Sequence, residues 1–294
     1  MSSEGTRLMP TFTARLADGW KRTGENMSLI LVPILLGVMQ TDSIRQILAY
    51  DGVHIGVKFG VPASVVTIWQ FVSLPGSGVT ANTGLPLSAP FAMIIIPGVI
   101  LLRAGLSAGY FGTIAAELLD RHEGFAMSAL TYFVPFLMIT ALPYVVLVPL
   151  ALGLFGFGSL GDEGAVLLLI PAFIAAGYLF WATPYLIVLR RTELVAAARG
   201  SYKLAVDGGA YLSYTIGYVA FVFFASVITT AVVVNVPAVG IPFGILAGGF
   251  VGLTLNITTM RFVADIDPES PCAGEWPAQH RSDGAAVSKE EAAP

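Results

Sequence analysis

The residues with chemical potential are few and sit in unusual company. Arg103 interrupts the apolar run from Ile94 to Ser107, where a basic group costs about 2.5–3.5 kcal/mol to hold near mid-bilayer and so needs a partner or water. Two placements satisfy that demand. Either the helix ends early, so that Arg103 snorkels to the interface and Ala104–Leu119 lies along the surface, or Arg103 is buried beside a pathway with Glu117 or a span-end carbonyl as partner. Glu117, Asp120 and Glu123 recur every third residue next to His122. Carboxylates in that pattern can gather a divalent cation or move protons, and they equally form the wet face of an interfacial helix.

Other chemistry is missing from the pattern. The three histidines lie far apart, no HExxH or GxSxG occurs, and no glycine-rich phosphate loop follows a strand. The one cysteine, Cys272, excludes an internal disulfide and a cysteine metal site. The expectation is a non-enzymatic protein with no cofactor and no resident metal.

The elements that must position these residues are membrane helices. The chain is 55% hydrophobic and 12% charged, against about 25% charged in a soluble domain. Seven of its 19 acidic residues but two of its 15 basic ones lie from Asp265 onward, so the acidity belongs to the tail and nucleic acid is excluded as a partner. A bilayer core takes about 20 helical residues. Five runs reach that length: Ala89–Gly112, Phe125–Gly156, Ala165–Leu189, Gly209–Val234 and Ala238–Phe262. Met27–Met39 becomes a sixth, uncleaved span if its helix continues through Leu48.

The fold class is therefore all-α, a polytopic membrane protein of about six spans with amphipathic interfacial connectors. Residues 1–26 form the amphipathic N-terminal segment, 27–264 the membrane domain and 265–294 a disordered acidic tail. Within the longest connection, Pro62–Leu74 is too short to cross and carries Trp69, so it is expected as an interfacial or re-entrant helix. Pro33, Pro97, Pro135, Pro143, Pro149, Pro171 and Pro184 fall in or near spans, where each can kink a helix.

Basic residues set orientation. Arg7, Arg15, Lys21, Arg22, Arg121, Arg190, Arg191, Arg199, Lys203 and Arg261 fall on one side, while Arg45 and Lys58 fall on the other, which predicts both termini in the cytoplasm. The segment after Leu189 forms an amphipathic helix with Leu194, Val195, Ala198, Tyr202 and Ala205 on its apolar face and Leu204 as the exception. Arg190, Arg191, Arg199 and Lys203 then make a basic face for anionic headgroups. Residues 14–26 and 197–209 share a small-residue start, an aromatic-Lys pair and a glycine with an acid before the next apolar run, and 122–133 resembles a third copy. Gly240, Gly244, Gly248 and Gly252 recur every fourth residue, a stripe that admits close packing either within the chain or in a homo-oligomer.

The order of amphipathic segment, span, long outer loop, span and two further connector–hairpin units resembles the six-helix prokaryotic membrane proteins of unknown function related to the membrane domain of glycerophosphodiester phosphodiesterases. Gly109-Tyr110-Phe111-Gly112 leading to Glu117-Leu118-Leu119, and Thr183–Tyr214, carry the resemblance over roughly residues 10–265. It implies a fold, since nothing like the phosphodiesterase catalytic domain is present. Three functions follow in order: binding lipid or a protein partner at the cytoplasmic face, a transporter or permease for a small or lipidic solute, and an intramembrane enzyme using the three carboxylates.

Overall fold

The computed structural model describes residues 11–62, 64–76, 92–151, 162–271 and 273. Expectations for the outer loop 77–91, the turn 152–161 and the tail 274–294 fall outside the described residues. The described elements are all helical, in the order α1 (Phe12–Glu25), α2 (Leu31–Val38), α3 (Thr41–Leu48), α4 (Ala92–Leu118), α5 (Phe125–Thr131), α6 (Phe133–Ala151), α7 (Asp162–Phe180), α8 (Thr183–Arg190), α9 (Leu194–Asp207), α10 (Ala210–Asn235) and α11 (Pro237–Ile266).

Four stretches are long and apolar enough to cross a membrane: Ile96–Leu118, Pro171–Arg190, Ala210–Asn235 and Pro237–Ile266. The number rises to as many as six if each of two bent pairs is one broken span, Met27–Val38 with Thr41–Leu48 at 59° and Phe125–Thr131 with Phe133–Val145 at 66°. The chain is thus a multi-pass all-α membrane protein. Proline explains two of the breaks. A proline ring collides with the carbonyl four residues earlier, and α5 stops at Thr131, four before Pro135, as α7 stops at Phe180, four before Pro184.

Glycines and a left-handed residue make the corners at the end rich in basic residues, the basic face. Arg191 ends α8 with φ 51°, and Gly208 and Gly209, at φ 67° and 53°, turn α9 into α10. Arg121 donates to the carbonyls of Val188 and Leu189, answering the bare C-terminus of α8. On α1, Arg15, Gly19 and Thr23 are buried, and on α9 Ala197, Ser201 and Ala205 occupy the same i, i+4, i+8 places. Trp20-Lys21 and Tyr202-Lys203 are exposed in both, so the two connectors share one burial register. Gly19 is needed there, because a Cβ would lie 2.0 Å from the Thr258 hydroxyl.

The connection after α3 differs most from expectation. Among its described residues it contains no helix beyond a single 3-10 turn at Ile68–Gln70, yet it runs deep between the helices as an irregular re-entrant loop. Lipid offers nothing to backbone polar groups, so such a loop survives only where protein side chains answer them. They do so here from α10 and α11. The His54 N–H donates to Asn235 Oδ1 at 2.7 Å, and Asn235 Nδ2 donates back to the His54 carbonyl at 3.0 Å. The Lys58 N–H meets Ser226 at 2.9 Å, the Val66 N–H meets Asn256 at 3.0 Å, and on the way out the Ser73 N–H meets Thr230 at 2.9 Å. At 1.5 Å per residue, Ser226 lies about 13 Å below Asn235, and Asn256 about 28 Å from the start of α11.

The glycine stripe is what lets the loop in. A Cβ on Gly252 would lie 2.1 Å from the Val66 carbonyl oxygen, one on Gly248 2.8 Å from the Ile68 Cα, and one on Gly240 2.4 Å from the Val232 carbonyl oxygen. Gly244 faces Val233 and Ile68. The stripe is consumed within the chain, and its main partner is loop backbone where helix packing was expected.

Candidate functional site

Asn256 is the joint on which the interior turns. Its side chain accepts from the Val66 N–H and from the Tyr110 hydroxyl at 3.1 Å, and donates to the Tyr185 hydroxyl at 2.9 Å. It therefore ties α11, the loop, α4 and α8 at one buried point. Aromatic rings fill the space towards the basic face: Trp181 stacks on Tyr211 with centroids 4.3 Å apart, Tyr214 stacks on Phe262 at 4.0 Å, and the Arg15 guanidinium lies 4.9 Å over Phe262.

On the other side of the loop is a cavity of about 550 Å³, walled by the loop, α4, α6, α7 and the start of α8. Its lining is mostly apolar, with Phe136, Ile139, Phe180 and Trp181, and carries convergent polar groups from Gln40, Thr67, Gln70, Ser107, Thr140 and Tyr144. Two basic side chains reach it, Lys58 from the loop and Arg103 from α4, and its described lining contains no carboxylate. The Lys58 ammonium donates to the Trp69 carbonyl at 2.6 Å, and Arg103 hydrogen-bonds the Tyr144 side chain. Both partners are neutral. The Gln70 side-chain oxygen is buried with no hydrogen-bond partner. A polar atom so placed in a cavity wall is available to a ligand that can donate to it.

Arg103 is the first correction. Helix α4 does not end early: it continues to Leu118, and Ala104, Ser107, Ala108, Tyr110 and Phe111 beyond Arg103 are buried in the bundle. The residue is half-buried at the cavity, and Glu117, fourteen residues along the helix or about 21 Å away, is not its partner.

Glu117, Asp120 and Glu123 are not brought together. Glu117 hydrogen-bonds the Asn26 side chain, Glu123 pairs with Arg191, and Asp120 is exposed at a left-handed turn with φ 50°. Among the described residues no group of His, Cys, Asp and Glu is arranged to hold a metal ion.

The basic face is corrected in part. Arg199 and Lys203 are exposed as expected. Arg190 is instead taken by Asp267, whose side chain is wholly buried, and by Glu269, each at 2.5 Å, while Arg191 is taken by Glu123. Arg15 likewise pairs with Asp265 at 2.8 Å, with both side chains buried. The ordered chain thus extends past the boundary expected at Asp265, because these carboxylates clamp α1 and α8. The partners come from distant parts of the chain, which helical spacing along 190–203 does not reveal.

Helix α9 also has three sides where two were expected. Ala197, Ser201 and Ala205 pack on the protein with Leu194 and Leu204 against the core, Val195, Tyr202 and Val206 form an exposed apolar strip, and Arg199, Lys203 and Asp207 follow on the next strip. The third side accounts for Leu204.

Lys58 was not singled out as a site residue by its sequence surroundings, since it reads as an outer-loop charge. The available signal was its isolation: from Val53 to Leu74 it is the only Asp, Glu, Lys or Arg in a stretch rich in Val, Ile, Phe and Trp. The chain matches no protein-family profile, no curated protein and no solved structure.

Proposed function

We propose that this chain is a permease of the cytoplasmic membrane, with both termini cytoplasmic, that takes an anionic solute with an apolar portion, such as an acidic lipid, into the central cavity. The observation that carries this reading is the presence of Lys58 and Arg103 in a cavity whose described lining has no carboxylate. Two basic side chains in a low-dielectric space whose described lining holds no carboxylate favour an anion. Ligand cavities of about 300–1,000 Å³ are common, and irregular backbone at bilayer depth beside a cavity is a feature of transporter substrate sites. The basic residues at one end support the orientation.

Reconstitution tests the reading. In vesicles, the wild-type chain is expected to move NBD-labelled phosphatidylglycerol between leaflets, and Lys58→Gln and Arg103→Gln to slow it about tenfold while NBD-phosphatidylcholine is moved slowly by all three. Equal rates for the two lipids, or full activity in both variants with unchanged thermal stability, sink it. A second reading, binding of acidic lipid at the basic face without transport, is favoured by the apolar and basic strips of α9. It predicts that Arg199→Gln with Lys203→Gln weakens retention of phosphatidylglycerol whereas the cavity variants do not.

A further inference from the structure

The 3-10 turn Ile68–Gln70 sets the Gln70 side chain in the wall of the central cavity, and its backbone is fastened on both sides. The Trp69 indole N–H donates to the Gly37 carbonyl at 2.7 Å, which holds the turn to α2. The Thr229 hydroxyl donates to the Phe71 carbonyl at 2.6 Å, which holds it to α10. Within the turn, the Gln70 N–H meets the Thr67 carbonyl at 3.1 Å and the Phe71 N–H meets the Ile68 carbonyl at 2.9 Å. A side chain carried on so fixed a base loses little freedom when it engages an occupant.

The other side-chain amides around the loop are spent on the protein. Gln40 donates to the Thr67 hydroxyl, Gln46 to the Pro75 carbonyl, and Asn235 and Asn256 bond loop backbone. The Gln70 oxygen is the exception, buried with no hydrogen-bond partner among the described residues. Leaving such an oxygen unanswered is costly, so an occupant that donates to it is favoured. No hydrogen bond holds that oxygen where it lies, and the terminal torsion of glutamine is broad, so the amide can turn it towards an incoming donor. A cationic donor is disfavoured, because Lys58 and Arg103 line the same cavity and the Lys58 ammonium lies on the carbonyl of Trp69, next to Gln70 in the chain, at 2.6 Å. A neutral donor beside an anionic group fits instead. Hydroxyls suit an amide well, since they donate to its oxygen and accept from its nitrogen.

We infer that the occupant of the central cavity carries a hydroxyl beside its acidic group, and that Gln70 is the residue that selects for it. The chemistry is that of a hydroxylated phosphodiester headgroup, as in phosphatidylglycerol, and equally of a free hydroxylated phosphate. The inference rests on the permease reading, to which it adds the group recognised next to the anion.

Vesicles containing the full chain test it with three NBD-labelled lipids of equal acyl composition: phosphatidylglycerol, phosphatidylmethanol, which has the same charge and no headgroup donor, and phosphatidylcholine. The wild type is expected to move phosphatidylglycerol about tenfold faster than phosphatidylmethanol, the worth of one hydrogen bond. Gln70→Met keeps the length of the side chain and removes its amide. It should bring the two rates together by slowing phosphatidylglycerol alone, with an unfolding temperature no lower than that of the wild type, since the oxygen has no protein partner to lose. Equal wild-type rates for the two anionic lipids, both well above phosphatidylcholine, overturn the inference and leave the permease reading standing; rates no higher than that of phosphatidylcholine overturn both. A preference that survives Gln70→Met also overturns the inference. Slowing of phosphatidylglycerol by millimolar glycerol 3-phosphate supports it with the headgroup sufficient, and a full rate beside that competitor supports it with the acyl chains contributing.

Discussion

The re-entrant loop and the basic face are both held by polar contacts between residues far apart in sequence, but by opposite chemistry. The loop is fastened by neutral groups, Asn235, Ser226, Thr229, Thr230 and Asn256, each bonded to loop backbone. The basic face is fastened by ions, with Arg15 on Asp265, Arg190 on Asp267 and Glu269, and Arg191 on Glu123. The difference follows the surroundings. At bilayer depth an ion pair must recover a large desolvation cost, whereas an amide facing a backbone N–H leaves no charge behind. At the basic face Glu269 and Arg191 reach solvent, which lowers that cost. Lys58 and Arg103 stand outside this division, since they reach the central cavity beside a backbone carbonyl and a phenol.

Three substitutions and one control, Gly98→Ala, probe the contrast. Asn256→Ala should have the largest effect, about 3–5 kcal/mol of stability, because it removes the side-chain partner of the buried Val66 N–H and Tyr110 hydroxyl and one partner of the Tyr185 hydroxyl. Unfolding in detergent measures it, and a loss under about 1 kcal/mol would mean that water reaches the joint. Gly252→Ala should cost about 1–3 kcal/mol by pushing Val66 off α11, while Gly98→Ala, where nothing lies within 4 Å, should be neutral or slightly stabilising. Equal effects at the two glycines would show that the stripe tolerates loop displacement. Glu123→Gln should be smallest, under about 1 kcal/mol, since its pair with Arg191 has side chains 20% and 51% exposed. That effect should fade in about 1 M salt, where charges are screened within roughly 3 Å; a salt-insensitive loss would place the pair on the interior side of the contrast.

The two regions were also unequally legible in the sequence. Apolar runs of about 20 residues disclose spans because the bilayer imposes that length, and Pro135 and Pro184 mark their breaks to the residue. The aromatic-Lys pairs at Trp20-Lys21 and Tyr202-Lys203 disclose the connectors. The loop has no such period: the described residues of 51–76 are fastened largely by side chains more than 150 positions away, and the local trace is apolar content without helical length. The polar residues of α10 and α11 held the complementary clue, since Ser226, Thr230 and Asn256 inside spans require partners. Their sequence does not say that the partner is backbone. Arg190 was misread for a related reason, its carboxylates lying beyond α11.

The link between Val66 and Asn256 spans 190 residues. At roughly 5–20 residues per second, ribosomal synthesis leaves about ten to forty seconds between the emergence of the loop and that of the helix that receives it. Throughout that interval the loop's amides have no place among the earlier helices, so they must stay hydrated or chaperoned at the membrane surface. Synthesis of the α10–α11 hairpin is therefore the step that draws the loop inward and closes one wall of the central cavity. Until α11 has been made, the central cavity lacks its loop wall.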